Sequence, residues 1–281
     1  DWDRDHGTMV AITLEARFQR GSHSVEEFLA QCAVSNPHAR FIYMGPDYEE
    51  KVYDRGVDEL PASPKEIKPH PHGVELGILM RMLKSTSAKK LKQFLTQDFS
   101  RVSDKVAKDI CRISGLSETA WISRIAREEA DSLYQAIPQV KIMNPPTNCL
   151  SPIGAERLEA SLMEQVPADL VMGVTRNPAV YRGNPFQVEV GLAYGGDLPG
   201  EELCSLHRFA NRGPLQYQQG ACAITKSVLQ TNWRAYGLQQ SRGALPTAPM
   251  VLLVHIASVW VPFTSESKEA VAGYDEIIKE L

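Results

Sequence analysis

The apolar positions of this chain change period several times, and each change predicts an element. From Thr8 to Arg17, TMVAITLEAR places Val10, Ile12, Leu14 and Ala16 on one side, the pattern of a half-buried strand. Ser24-Val-Glu-Glu27 has the form of a capping box and predicts a helix to about Val34. Phe41 to Met44 reads as a short strand and Gly45-Pro46-Asp47 as a turn. Pro61, Pro64, Pro69 and Pro71 oppose helix and central strand alike, so residues 55–73 read as a linker. From 73 to 136 the period is helical. Leu76, Leu79, Met80 and Leu83 form one apolar stripe, and a second helix at about 88–97 carries Leu91, Phe94 and Leu95. After a break at 98–103, a third helix over 104–114 buries Val106, Ile110 and Ile113 and stops at Gly115. A fourth follows at about 126–136.

A second proline-rich break, NPPTNCLSP at 144–152, introduces a mixed pattern. It predicts a helix from Ile153 to Glu164 and strands at Leu170–Arg176 and Phe186–Ala193. An alternating segment at Leu203–Asn211, a helix at Ala221–Gln230 and a last helix from Ser267 to the end complete the pattern. One run stands apart. Residues 250–260, at the heart of VLLVHIASVWV, are apolar and rich in β-branched residues, as in a strand buried on both faces. Strands alternating with crossover helices predict an α+β architecture whose mixed sheet carries helices on one face. Past Pro262 the run turns small, polar and charged, from Thr264 to Glu269. A polar loop on a buried strand holds one charged side chain still and leaves its tip free. Lys268 is the candidate side chain, with a nucleotide phosphate as its expected ligand.

Composition narrows the classes. The chain has 281 residues, is 43% hydrophobic and carries a net charge of −4, so two domains are expected and bulk attraction to nucleic acid is not. Locally the balance reverses. Lys84, Lys89, Lys90, Lys92, Arg101, Lys105, Lys108 and Arg112 face only Asp98, Asp104 and Asp109 between residues 84 and 112. The break between the second and third helices adds amide N–H groups at a helix N-terminus, where phosphate oxygens bind. Contact with a nucleic-acid backbone, indifferent to sequence and sensitive to salt, is the expectation. Five scattered cysteines without a C-x-x-C pair predict reduced thiols and a cytoplasmic setting. No apolar run approaches the roughly 20 residues of a membrane span, so no membrane partner is expected. The opening at Asp1 and the stop inside a predicted helix suggest a piece of a longer polypeptide.

The remaining chemistry is sparse. His6-Gly7-Thr8, at the entrance of the first predicted strand, reads as an ordinary turn or as a ligand-facing loop. His70 and His72 are too few for a metal site. His207 and His255 fall inside predicted strands and read as satisfied core or edge histidines. Trp233-Arg234-Ala235-Tyr236 either packs or meets a partner. There is no phosphate loop, nucleophile elbow or zincin helix, and no catalytic residue is assigned. The expected role is to pass a signal between parts that do chemistry.

Several motifs together resemble one family. They are Pro64-Lys-Glu-Ile-Lys-Pro-His-Pro-His-Gly73, Pro145-Pro-Thr-Asn-Cys-Leu-Ser-Pro-Ile-Gly154, Arg176-Asn-Pro, Arg208-Phe-Ala-Asn-Arg212 and Ser267-Lys-Glu269. In this order along nearly the whole chain they resemble the B subunits of type IIB DNA topoisomerases, the topoisomerase VI family. The resemblance implies three domains: the end of a GHKL-type ATPase domain over 1–60, a helix–two-turns–helix domain over 61–150, and part of a transducer over 151–281. It implies ATP and Mg²⁺ as cofactors, held mainly by residues upstream of Asp1, with Thr8 and Lys268 as nucleotide contacts. Lys268 matches the transducer lysine that reaches the γ-phosphate. Lys89, Lys90, Lys92, Arg101, Lys105 and Lys108 become DNA contacts. Expected partners are the topoisomerase VI A subunit, a second B subunit in an ATP-dependent dimer, and double-stranded DNA in an archaeal cell. Two departures are visible: Ser258-Val259-Trp260 stands where many relatives carry Ser-Thr-Lys, and Ser103 where glycine is frequent. The alternatives are a scaffold for a DNA-cleaving partner without ATPase activity, and a stand-alone nucleic-acid-binding module.

Overall fold

A computed structural model describes residues 5–281. Half of the expected capping box forms: Ser24 Oγ accepts the Glu27 N–H at 3.1 Å, whereas the Glu27 carboxylate accepts the N–H of His23, one residue before the cap, and the Ser24 N–H goes to Gly21 O. This starts α1 (Val25–Ser35). β1 (Phe41–Met44) turns at Pro46-Asp47 and pairs antiparallel with β2 (Glu50–Tyr53). The strand predicted over 8–17 is not there. Met9, Val10, Ile12 and Leu14 are all more than 60% exposed, and the backbone belongs to no strand. Alternation makes a strand only where a neighbour accepts its hydrogen bonds, and none of the described residues does so.

The linker leads into α2 (Leu76–Ser85), α3 (Leu91–Asp98), α4 (Asp104–Ser114) and α5 (Arg127–Ala136). They enclose one core built on Leu79, Leu91, Phe94, Leu95, Ile110 and Leu133, all fully buried. Gly115 closes α4 in a left-handed conformation, φ +72°, as the sequence required.

Beyond the second proline break come α6 (Ala155–Gln165), β3 (Leu170–Thr175), β4 (Ala179–Tyr181), β5 (Asn184–Tyr194), β6 (Ser205–Ala210) and β7 (Gly213–Pro214). Then follow α7 (Ala223–Gln230), the short pair β8 (Gln239–Gln240) and β9 (Pro246–Thr247), β10 (Met250–Ser258) and α8 (Asp275–Glu280). The main sheet runs β3-β5-β10-β6-β7, with β4 also on β5. β10 is antiparallel to β5 and parallel to β6, so the sheet is mixed. All nine residues of β10 are buried, as its apolar run predicted.

Helices cover both faces, which corrects the one-sided expectation. Leu252, Val254 and Ile256 point to Ile224 and Val228 of α7 and Ile277 of α8. Leu253, between them, points to Val34 of α1 and Leu158 and Leu162 of α6. A strand apolar at every position has two faces to cover. On the α6 side, Gly173 and Gly191 are register partners on β3 and β5. A Cβ on Gly173 would lie 2.4 Å from the Ala155 carbonyl oxygen, and one on Gly191 would lie 2.7 Å from Leu162 Cδ1. The glycine pair is what lets the helix sit this close.

The last helix begins at Asp275 and not at Ser267. Lys268 has φ +57°, outside the right-handed helical region, and the Thr264 N–H donates to Ala270 O at 2.9 Å. The segment folds back as a narrow loop because Ala270 and Val271 are drawn into the core, both 0% exposed.

Candidate functional site

The loop after β10 is an arm with two anchored legs. On the outgoing leg, Ser258 Oγ donates to Pro185 O at 2.9 Å, and Val261 is buried. The returning leg is pinned by Val271: Phe263 and Val271 form an isolated bridge, the Ala223 N–H donates to Val271 O at 2.8 Å, and the Val271 N–H meets Cys222 Sγ at 3.4 Å. Between the legs, the Lys268 N–H closes a turn onto Ser265 O at 3.2 Å. Ser265, Glu266, Ser267 and Lys268 are exposed. A rigid sheet thus carries a long, flexible cation, Lys268, on a short mount anchored at both ends.

The arm overlooks a cleft of about 1090 Å³ between the helical unit and the sheet. Lys268, Arg182, Asn184, Asn211 and Trp260 line one side, and His72, Glu75 and Tyr134 the other. Arg182 lies over the Tyr274 ring at 4.9 Å, and Tyr274 stacks on Tyr181 at 4.4 Å, which keeps a second cation beside the arm. Val259 and Trp260, in place of the expected Thr-Lys, are 43% and 64% exposed at the arm's foot. The joint below the cleft is tight: a Cβ on Gly183 would stand 2.8 Å from both the Gly73 nitrogen and His70 Nδ1. His70 is buried and joins segments: Nε2 pairs with Met143 O at 3.0 Å, and Nδ1 accepts the His72 N–H at 3.3 Å. Thr8 does not line this cleft. It lies in the exposed stretch without helix or strand, so the structure does not bring Thr8 and Lys268 together.

The basic side chains of the helical unit divide into spent and free. Lys92 Nζ pairs with Asp104 at 2.7 Å; that bond holds the Asp104 carboxyl below its ordinary range and raises the lysine. Lys90 lies 3.5 Å above the ring of Trp121. Lys89, Arg101, Lys105 and Lys108 are exposed and have no ion pair among the described residues. Arg101 has a left-handed backbone, φ +59°, in the break between α3 and α4, and Ser103 caps α4 through Oγ to the Val106 N–H at 3.4 Å. The serine that departs from the family pattern thus has a structural task.

Sequence reasoning missed a buried charge network behind the arm. Glu189 of β5 and His255 of β10 are register partners, both 0% exposed, with Oε2 and Nδ1 2.8 Å apart. Oε2 also accepts the Ile153 N–H at 2.7 Å; Oε1 accepts the Gly154 N–H at 2.7 Å and Thr175 Oγ1 at 2.8 Å. Burial pushes the Glu189 carboxyl up, but the His255 bond and the two amides outweigh it and leave it below the usual carboxylate range. His255 Nε2 accepts the Arg212 N–H at 3.0 Å, which fixes a neutral imidazole protonated at Nδ1. Arg212 in turn donates to Ser35 O at 3.3 Å and Pro152 O at 2.9 Å, tying α1 and the proline joint to the sheet. The signal was a lone glutamate and a lone histidine, each in an apolar strand. His255 is a satisfied core histidine, as its strand position suggested. His207 is half-buried on β6.

The aromatic-basic cluster divides likewise. Trp233 Nε1 donates to Val228 O at 2.8 Å and Arg234 to Gln240 O, whereas Tyr236 is 75% exposed. Burial pushes the Cys111 and Cys204 thiols up to about 11, so they pack rather than react. Among the described residues, no cluster of three or more His, Cys, Asp or Glu side chains suits a metal, and no helix is long and apolar enough to cross a membrane.

The family described as "Topoisomerase VI B subunit, transducer" matches residues 145–281. A protein of Methanococcoides burtonii, named as the B subunit of type 2 DNA topoisomerase 6, is 48% identical over 282 residues, covering 100% of this chain and 45% of that protein. The protein of the same name from Archaeoglobus fulgidus is 47% identical over 281 residues, covering 100% of this chain and 46% of that protein. A more distant relative from Methanothermobacter thermautotrophicus is 34% identical over 97% of this chain and 53% of its own length. The chain spans about half the length of the curated relatives it matches. With the transducer family matching residues 145–281 and 48% identity along its full length to a protein named as a B subunit of type 2 DNA topoisomerase 6, this chain belongs to the topoisomerase VI B-subunit family.

Proposed function

We propose that this chain is the coupling part of the B subunit of an ATP-dependent type IIB DNA topoisomerase. In this reading residues 1–60 end a GHKL ATPase domain, residues 61–150 form the helix–two-turns–helix domain, and residues 151–281 form part of the transducer. ATP and Mg²⁺ are held mainly by residues upstream of Asp1, with Thr8 a further nucleotide contact. ATP binding joins two B subunits, and the A subunit cuts and passes the DNA. Lys268 senses the γ-phosphate: its ammonium pairs with the terminal phosphate while it is present and loses that partner on hydrolysis. Lys89, Arg101, Lys105 and Lys108 carry the DNA-backbone contact, with Lys90 and Lys92 in supporting positions.

The observation that carries this reading is the 48% identity along the full chain to a protein named as a B subunit of type 2 DNA topoisomerase 6. The anchored arm supports the role given to Lys268. In the complete enzyme, Lys268→Ala should slow ATP-driven relaxation by about a hundredfold, the usual cost of removing one charge-stabilising donor. DNA binding without nucleotide should not change. Undiminished ATP-driven relaxation would remove the lysine from the mechanism.

A further inference from the structure

The foot of the Lys268 arm is held by a side chain from another strand. Asn211 lies in the tight turn between β6 and β7, where it and Arg212 both have left-handed backbones, φ +46° and +66°. Two such residues in succession make a type I′ turn, and asparagine suits its first central position. The Asn211 N–H donates to Ile256 O at 2.9 Å, the end of the backbone pairing between β6 and β10. Past that point the side chain takes over. Asn211 Nδ2 donates to Ser258 O at 2.9 Å, and the Ser258 N–H donates to Asn211 Oδ1 at 2.9 Å. The primary amide imitates a peptide group and pairs the last residue of β10 where β6 has already turned away. From there the chain leaves the sheet; the Trp260 N–H donates back to Ser258 Oγ at 3.1 Å, and the arm rises towards Lys268.

We propose that Asn211 is a positioning residue for Lys268: its side-chain amide fixes where β10 ends and therefore the direction in which the ammonium is carried to a phosphate. This rests on the reading of Lys268 as the phosphate sensor. Geometry at the foot matters because a misplacement of about 1 Å at the charged tip costs on the order of a hundredfold in an oriented contact. Asn211 touches no ligand in this scheme; it acts through the lysine.

The test uses the full-length B chain in complex with its DNA-cleaving partner. The readout is the affinity for a non-hydrolysable ATP analogue relative to that for ADP, which isolates the terminal phosphate. Asn211→Gly keeps the left-handed turn and removes the amide. Asn211→Asp keeps the turn and the acceptor but loses the donor to Ser258 O. Asn211→Gly should weaken the ATP analogue roughly tenfold, the loss of about two hydrogen bonds, with ADP unchanged. Asn211→Asp should fall between. Neither should add to the loss caused by Lys268→Ala, because a missing lysine cannot be misplaced. Equal weakening of both nucleotides, or a full additional loss on top of Lys268→Ala, would overturn the proposal. If Asn211→Gly does not fold, the aspartate variant decides, and an unchanged ratio there rejects the positioning role. If Lys268→Ala itself leaves the ratio intact, the sensor reading fails, and that failure is distinguishable from a failure at Asn211 alone.

Discussion

Glu189→Gln tests the buried network most sharply, because the substitution keeps shape and changes only charge and one donor. The wild-type carboxylate accepts four bonds of 2.7 to 2.8 Å, two on each oxygen. A glutamine amide offers one acceptor oxygen and turns the other site into a donor. With nitrogen at the Oε2 site, the Ile153 N–H and His255 Nδ1–H are both opposed; switching the imidazole tautomer only moves the conflict to the Arg212 N–H. With nitrogen at the Oε1 site, the Thr175 hydroxyl can rotate to accept, and the Gly154 N–H alone is orphaned. The second arrangement is the cheaper one. It leaves one partly buried amide, that of Gly154, unpaired and loses the charge-assisted part of the rest, about 3–5 kcal/mol together. In urea unfolding at pH 7, read by tryptophan fluorescence, that lowers the midpoint by about 1–2 M. The pH dependence follows from the carboxyl being held below its ordinary 4.5. Below that value the unfolded chain takes up the proton more readily than the folded one. The stability this group contributes is therefore complete above about pH 4.5 and is lost as pH falls through the folded-state value. The wild-type and glutamine curves should converge in acid. A midpoint shift under about 0.3 M, or a gap between the curves that is independent of pH, would refute the account.

The other predictions concern the joint and the basic face. Gly183→Ala puts a Cβ 2.8 Å from the Gly73 nitrogen at φ +73°, so the seat of the helical unit on the sheet should loosen by about 2–3 kcal/mol. Limited proteolysis of the 55–73 linker should then be faster, and an unchanged cleavage rate would count against a tight joint. On the basic face, neutralising Lys89, Arg101, Lys105 and Lys108 together should weaken DNA binding and reduce the salt slope by about 0.9 for each phosphate no longer neutralised. Lys92→Ala should do much less, because that lysine already serves Asp104. Equal effects of Lys92→Ala and Lys105→Ala would show that the division into paired and free lysines does not govern binding.

Local signals were legible where a single interaction decides them. The Ser24 cap, the Gly115 stop and the apolar run of β10 each depend on neighbours within a few residues, and each appears as the pattern indicated. What could not be read depends on distant partners. The 8–17 stretch has strand periodicity, but a strand is a property of two segments, and the described residues hold only one of them. The coverage of both faces of β10 was implicit in its lack of alternation; a helix count along the chain concealed it, because α1 belongs by sequence to the other side of the linker yet packs on α6, where Ser161 Oγ donates to Val34 O at 2.9 Å.

The Arg208-Phe-Ala-Asn-Arg212 motif makes the same point from the other direction. As a string it served only to mark a family. In space its members divide the work. Buried Arg208 donates to Leu215 O and Tyr217 O, Phe209 fills the α6 side of the sheet, Asn211 fixes the end of β10, and Arg212 holds α1 and the proline joint. A five-residue strand end therefore connects the segment before the linker, the joint after the helical unit and the foot of the lysine arm. Motion imposed at any one of these must strain bonds made by the other two. That is the property a coupling element needs, and it follows from geometry independent of any ligand. The consequence is that the arm cannot swing freely while its foot stays bonded. A change at the tip must travel either through Ser258 into β10 and, by way of Asn211, β6, or along the returning leg through Val271 into the start of α7.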